Sequence, residues 1–454
     1  MKESDTPQTF SEITVKAGNP ARIVQVVTGL APRDGISGIL IEIDRTCRRL
    51  GYKSEICART IENNFAPLMN DCDPSLLRFR RFAEEALHTP TVFIYHFGVE
   101  DAEIEKVFEQ YPHLDKVFYY HNITPAIFYR YWNQVAFDQC ILSRKVLLKI
   151  LQQNWIITGD SWYNIDEVSK NQKRVLPPVL PLAGLNLTEI LAAKAEKSSA
   201  DVPTLLFVGR FAPGKRQHLL VYAIRRLKDL GLPCQLILAG KATGPYFHYV
   251  QLMIRVLKLQ KHITTLRDVD AAELSSLYDR ANYFVAATEH EGFCLPIFEA
   301  MKQGCLPIVR PFAAVQEFFH ASHIIAPKKS VSSFVHTIES TLLATFKNPV
   351  QYSKLFFETA ATVQKELDGY LSVEDFLNVL NQPGSNIQAA NRHSRKQVSK
   401  LATRENPAFT VERAHRIRGA WYQLVFVTIE LARKCFLPLV LSGPLKPFFQ
   451  RLQR

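Results

Sequence analysis

The stretch Tyr283 to Met301, YFVAATEHEGFCLPIFEAM, decides the fold. Its first five residues are apolar, as in a strand buried on both faces. A loop containing Gly292 follows. Pro296 then stands where a helix begins, because its fixed φ and missing N–H suit a first helical turn. A strand that feeds a helix through a short loop is half of a β-α-β unit, and the same unit recurs on both sides of this stretch.

Upstream, Thr204 to Gly209 (TLLFVG), Gln235 to Gly240 (QLILAG) and Ile263 to Leu266 read as strands. They alternate with helical patterns at His218–Leu230, Tyr246–Leu259 and Ala271–Ala281, and Leu306 to Val309 adds a strand downstream. The amino-terminal half repeats the rhythm. Ala21 to Leu30 (ARIVQVVTGL), Ser54 to Ala58, Thr91 to His96 (TVFIYH), Lys116 to His121 (KVFYYH) and Trp155 to Asp160 read as strands. The turn Gly35-Ile36-Ser37-Gly38 leads to a helix over Ile39 to Leu50, and Asp101 to Tyr111 is a second helix. Such alternation gives parallel, doubly wound sheets, so the expected class is α/β with two Rossmann-like domains facing across a cleft.

The expected domains are a flexible start at 1–20, a first domain at 21–185, a linker at 186–203 rich in Ala, Lys and Ser, and a second domain at 204–350. Closing helices at 351–382 and a basic tail at 383–454 complete the chain. The 454 residues are too many for one ordinary domain, and 47% hydrophobic content suits packed cores. Eight dispersed cysteines with no C-x-x-C pair argue against a zinc site or a disulfide framework and fit a reducing cytoplasm. Residues Met1 to Glu12 have no apolar stretch of the kind a signal peptide needs, so secretion is not expected.

The net charge of +12 is unevenly spread. Residues 383–454 hold 13 Lys and Arg against 3 acids, a net of +10, which leaves +2 for residues 1–382. A nucleic-acid partner would have to rest on the tail alone, and none is expected. Within the tail, Ala420 to Leu441 (AWYQLVFVTIELARKCFLPLVL) is apolar but broken by Gln423, Glu430, Arg433, Lys434 and Pro438. That is a poor transmembrane span. Its aromatics beside Arg and Lys suit a helix lying on an anionic membrane surface, and a helix docked on the body or on a partner is the alternative.

Two loops carry the chemistry. In Gly209-Arg210-Phe211-Ala212-Pro213-Gly214-Lys215 a strand end delivers Arg and Lys five positions apart, able to aim at one anion. In Glu289-His290-Glu291-Gly292-Phe293-Cys294-Leu295-Pro296 the free amides of the following helix form an anion seat, with Glu291 before the helix and Glu299 within it. Glu289 reads as an exposed helix charge. The Gly35–Gly38 turn is explained as well by a tight strand-to-helix connection as by a ligand. The strings Asp71-Cys72-Asp73 and Asp268-Val269-Asp270 fall at turns, and no metal is expected there.

The combination Arg210-x4-Lys215 with Glu291-x7-Glu299, together with Tyr120-His121-Asn122-Ile123-Thr124-Pro125 and the Pro177-Pro178 turn, resembles the retaining nucleotide-sugar glycosyltransferases of family four, which have the GT-B fold. The likeness spans about residues 20 to 380. It implies that Arg210 and Lys215 hold the donor diphosphate and that Glu299 holds the ribose hydroxyls. Glu291 would face the donor sugar, with the amides of Gly292, Phe293, Cys294 and Leu295 nearby. His121 would touch the sugar through its imidazole or its backbone.

The family often has Gly where this chain has Cys294, although Cys is a familiar variant. Its amino-terminal loop usually starts like Gly-Asp-Ala, whereas this chain reads Arg33-Asp34-Gly35-Ile36-Ser37-Gly38. The resemblance implies a hexosyl transferase using a nucleotide-diphosphate sugar, with no cofactor and no metal. The acceptor would be a cell-surface glycan or its lipid-linked precursor, and the site of action the inner face of the membrane. An epimerase on the same architecture and a silent nucleotide-sugar or membrane-binding scaffold are the rival readings. Phe128, Tyr129, Tyr131 and Trp132 either line the acceptor path or pack in a core.

Overall fold

The computed structural model describes residues 22–381 except 33, 63–71, 171, 183–184, 186, 188–201, 243, 320–323 and 327–329. The basic tail, the flexible start and most of the expected linker therefore lie outside the described residues.

The first domain runs β1 (Arg22–Leu30), α1 (Gly35–Arg49), β2 (Lys53–Ile61), α2 (Leu77–Glu85), β3 (Thr91–Phe97), α3 (Ala102–Gln110), β4 (Asp115–Tyr120), α4 (Gln134–Ile150), β5 (Ile156–Gly159), α5 (Trp162–Val168) and β6 (Arg174–Val175). All pairings are parallel, in the order β2-β1-β3-β4-β5-β6. β3 is buried along its whole length, which its unbroken apolar and aromatic run requires.

The second domain runs β7 (Thr204–Val208), α6 (Gln217–Asp229), β8 (Gln235–Ala239), α7 (Gly244–Val256), β9 (Ile263–Leu266), α8 (Ala271–Arg280), β10 (Tyr283–Ala286), α9 (Leu295–Lys302), β11 (Leu306–Val309), α10 (Val315–Phe318), α11 (Val331–Thr345), α12 (Pro349–Leu367) and α13 (Val373–Asn381). Its sheet, also parallel, has the order β11-β10-β7-β8-β9. Strand order reverses between β1 and β3 in one domain and between β7 and β10 in the other. In doubly wound sheets the crevice beyond the strand ends at such a switch point is where ligands sit. The loops after β7 and β10 are the two that carry the sequence signals.

Four details differ from the sequence reading. α1 begins at Gly35 rather than Ile39, because Asp34 caps it by accepting from the Ser37 amide at 3.2 Å. β3 and β4 end at Phe97 and Tyr120, so His96 lies inside its strand and His121 just beyond its own. The closing helices divide between the domains. α12 packs on the second domain, whereas α13 returns to the first, where Phe376, Leu377 and Leu380 join the cluster around Ile39 and Ile43 of α1. At the expected domain-to-linker boundary, Leu185 and Leu187 are buried in the second core. The second aspartate of each D-x-D string serves a helix end, Asp73 accepting from the Arg78 amide at 2.8 Å and Asp270 from the Glu273 amide at 2.8 Å, while Asp71 lies outside the described residues.

Among the described residues no helix is long and apolar enough to cross a membrane, and no cluster of three His, Cys, Asp or Glu could hold a metal ion.

Candidate functional site

The two signal loops of the second domain are stapled together. The Glu289 amide donates to the Gly214 carbonyl at 2.9 Å, and the Glu289 carboxylate pairs with Arg216 at 2.6 Å and Arg310 at 3.5 Å. Arg310 also donates to the Ala287 carbonyl at 2.8 Å. Glu289 is therefore an internal tie and not the exposed helix charge that the sequence suggested. The tie sets the direction of Lys215, whose ammonium pairs with the Glu291 carboxylate. Arg210 starts the same loop with its side chain exposed, close enough to Cys140 on α4 to act on that thiol electrostatically.

At the start of α9, Cys294 holds the left-handed φ of 75°, and Pro296 occupies the first turn. Glu299 is half-buried and accepts from the Tyr278 hydroxyl at 2.7 Å. Opposite stands the start of α1: a Cβ on Gly35 would lie 3.5 Å from the Leu295 side chain. Two helix amino termini therefore meet across the cleft, that of α1 capped by the Asp34 carboxylate and that of α9 without a side-chain cap, each with a positive dipole end. The Ser37 hydroxyl is buried and accepts from the Ala31 amide at 3.0 Å, so it shapes the loop before α1. A Cβ on Gly38 would meet nothing within 4 Å.

The first domain reaches this loop through His121 and Asn122. A Cβ on Gly292 would lie 3.0 Å from the His121 carbonyl and 2.9 Å from the Asn164 amide nitrogen, so only glycine admits the approach. His290 Nε2 lies 2.8 Å from Asn122 Oδ1, and Asn122 Nδ2 donates to Asn164 Oδ1 at 2.9 Å. Burial, with Arg144 and Lys215 near, pushes the His290 imidazole down to about 3. The ring is therefore neutral, and because Asn122 Oδ1 can only accept, His290 carries its hydrogen on Nε2.

The His121 ring is not open to the cleft. Its side chain is 3% exposed, with Nδ1 3.0 Å from Asp160 and Nε2 3.0 Å from His96. Of the two contacts implied for His121, the backbone is the one on the cleft side. Phe128 and Trp132 cross to the second domain, Phe128 beside His290 and Gly214 and Trp132 against Tyr246 and Tyr249. Tyr131 is more than a third exposed.

Sequence reasoning missed Asp160, Asn164, Tyr278, Arg310 and Glu317. Each lies far along the chain from its partner, and only Asp160, at the end of a strand, carried a positional hint. Two surface grooves of about 760 and 1270 Å³ are lined by α6, α7 and α11, and by α7 with the end of β9. Neither includes Arg210, Lys215, Glu291 or Glu299, and both share Tyr249 with the Trp132 contact.

Residues 190–354 match the family model described as glycosyl transferases group 1. A GDP-mannose:cellobiosyl-diphosphopolyprenol alpha-mannosyltransferase of Komagataeibacter xylinus is 28% identical over 147 residues, 32% of this chain and 37% of that protein. A putative glycosyltransferase, YtcC, of Bacillus subtilis is 26% identical over 135 residues, 28% of this chain and 32% of its own length. The chain thus spans about a third of the length of the curated relatives it matches. Among solved structures, the sucrose-phosphate synthase of Thermosynechococcus elongatus superposes with a TM-score of 0.57 at 17% identity, covering 84% of this chain and 98% of that one. Anabaena HepE, in complex with UDP and glucose, superposes with a TM-score of 0.54 at 12% identity, covering 84% and 99%. The chain carries a glycosyltransferase group 1 domain on a GT-B architecture of two Rossmann-like domains, as the motif resemblance implied.

Proposed function

We propose that the protein transfers a hexose-type sugar from a nucleoside-diphosphate donor to an acceptor hydroxyl, with retention of anomeric configuration and without a metal. The reading rests on the convergence of the α1 and α9 amino termini at Gly35 and Leu295, with Lys215 held against Glu291 on the loop that leads into α9. Breaking a glycosyl–diphosphate bond leaves a multiply charged anion. Two dipole ends, free amides and two cations can take up that charge without reorganising. Arg210 and Lys215 would hold the diphosphate, with the amides of Gly292 to Leu295. Glu299 would accept from the ribose hydroxyls and Glu291 would face the sugar.

The acceptor in this reading is a cell-surface glycan or its lipid-linked precursor. The Komagataeibacter relative, whose name states a diphosphopolyprenol acceptor, supports the lipid-linked form. The basic tail would hold the enzyme on the anionic inner face of the cell membrane.

The deciding experiment is a panel of UDP- and GDP-linked sugars, scored by nucleotide release with and without acceptor extract and by thermal stabilisation. One donor should both stabilise the protein and release nucleotide. Failure of every donor on both measures refutes the proposal. Turnover to an isomerised sugar nucleotide with donor alone would establish an epimerase instead.

A further inference from the structure

We infer that Gln25, acting through His96, holds the His121 imidazole as a fixed cation against Asp160. Gln25, His96 and Asp160 are then positioning residues of the cleft, and the His121 ring is not a proton carrier. This goes beyond the transferase reading and is tested without a donor.

The inference follows from the polarity of one chain of hydrogen bonds. The Leu40 carbonyl in α1 can only accept, so the Gln25 atom 3.0 Å from it is the amide nitrogen. Gln25 Oε1 therefore faces His96 Nε2 at 3.0 Å, and that nitrogen must carry hydrogen. His96 is 1% exposed, and burial, with His121 beside it, holds its imidazole well below the ordinary histidine range. It is neutral with one hydrogen, so its Nδ1 is a bare acceptor. That acceptor lies 3.0 Å from His121 Nε2, which must donate. The other ring nitrogen of His121 faces both Asp160 oxygens, at 3.0 and 3.2 Å. A carboxylate oxygen can only accept, so the hydrogen shared between them belongs to Nδ1. Both nitrogens of His121 are protonated and both are engaged.

The surroundings keep this arrangement in place. Tyr119 stacks on His121 at 4.6 Å and His96 at 5.2 Å, which prevents the ring from turning. Near Asp160, burial pushes the hydroxyls of Tyr119 and Tyr370 up, so each stays neutral, and the Glu317 carboxyl is tied to the Trp162 and Tyr163 amides and to the Tyr370 hydroxyl. Tyr119 donates to the Val179 carbonyl at 3.3 Å. The chain of bonds ties α1, whose amino terminus forms one wall of the cleft, to the loop after β5. The residue at its centre is the one whose carbonyl abuts Gly292.

The test is a long-range proton–nitrogen correlation on the full chain, labelled with ¹⁵N in histidine rings, at about pH 7.5. His121 is assigned by its loss in His121→Asn. The expected signature is two protonated ring nitrogens on His121, and one bare nitrogen overturns the inference. Gln25→Met removes the acceptor two bonds away, which lets His96 reverse its tautomer, so His121 should then show one bare nitrogen. An unchanged His121 in folded Gln25→Met overturns the role of Gln25. Should that variant not fold, Asp160→Asn, of the same shape, is read instead: loss of one hydrogen from His121 supports the inference and retention of both overturns it.

Discussion

His290 of the second domain donates from Nε2 to Oδ1 of Asn122 in the first, across 2.8 Å. Asn164 continues the link by accepting from Asn122 and donating to the Tyr120 carbonyl at 3.3 Å. The loop proposed to seat the donor diphosphate in one domain is thereby fastened to the strand end that carries His121 in the other.

His290→Phe keeps the ring volume and removes the donor. A net loss of about 1 kcal/mol in unfolding free energy is expected, as for one hydrogen bond. Its pH dependence is more telling. An unfolded histidine takes up its proton near pH 6.5, whereas folded His290 does so only near about 3. Between these values the unfolded chain holds the extra proton, so this residue's contribution falls as pH falls through the window. The urea midpoint of His290→Phe should therefore drop less between pH 7 and 5 than that of the parent. His218, also pushed down to about 3 by burial, leaves a residual slope in both proteins.

Glu317 of α10 fastens the domains at a second point. Its carboxylate accepts from the amides of Trp162 and Tyr163, at 3.1 and 2.5 Å, where α5 of the first domain begins. It also accepts from the Tyr370 hydroxyl at 2.6 Å, on the segment that leads to α13. Burial raises this carboxyl to about 7. Between the unfolded value of about 4.5 and 7 the folded protein holds the extra proton, so the stability tied to Glu317 declines as pH rises, opposite to His290. Glu317→Gln should flatten that decline. Glu317→Ala leaves two buried amides without this acceptor and should cost about 2–4 kcal/mol, read from urea unfolding.

Much of this architecture was legible in the sequence. The strand runs TLLFVG, YFVAA and TVFIYH are unbroken and apolar, and each feeds a glycine or a polar loop, so the parallel sheets followed from local pattern. Lys215 and Glu291 stood out as candidates because each sits on a strand-end loop, and the structure pairs them. Glu289 was misread because its partners Arg216 and Arg310 come from other elements, and local charge pattern carries no record of such pairing. Asp160, Asn164 and Glu317 escaped for the same reason: buried polar residues are recognisable by what they bond, and those partners lie 39, 42 and 155 positions away. The return of α13 to the first domain was equally hidden, since an amphipathic helix shows that it has an apolar face and not which core receives it.

Cys294 gives a backbone test. Its φ of 75° is a region that side chains enter at a cost of about 1–2 kcal/mol and glycine enters freely. Cys294→Gly relieves that cost and loses a buried thiol, and its stability should lie within about 1 kcal/mol of the parent. Cys294→Val places a β-branched residue at the same φ and should lose about 2 kcal/mol or more by urea unfolding. Equal losses in the two variants would show that packing, and not the left-handed backbone, governs the start of α9.

Removal of residues 383–454 takes away a net charge of +10 and the apolar stretch Ala420–Leu441. Co-sedimentation with anionic liposomes at low salt should fall to the level seen with neutral vesicles, and raised salt should weaken binding of the full chain. Unchanged sedimentation of the truncated protein would remove the tail from the membrane reading.

Arg210 and Lys215 separate the chemistry from the fold. Arg210 is exposed, so Arg210→Ala removes a charge without opening a core. Lys215 pairs with Glu291, so Lys215→Ala leaves a carboxylate beside the anion seat, and its effect should be the larger of the two. Each loss of a preorganised contact to the departing diphosphate is expected to lower turnover by 10²–10³, or about 2.7–4 kcal/mol in the barrier, with urea unfolding close to the parent. The double variant Lys215→Ala with Glu291→Gln removes that exposed repulsion and should recover donor affinity more than turnover, because the cation matters most when the leaving group is fully charged. Near-normal turnover in both single variants would mean that the charge of the leaving group is met elsewhere in the cleft.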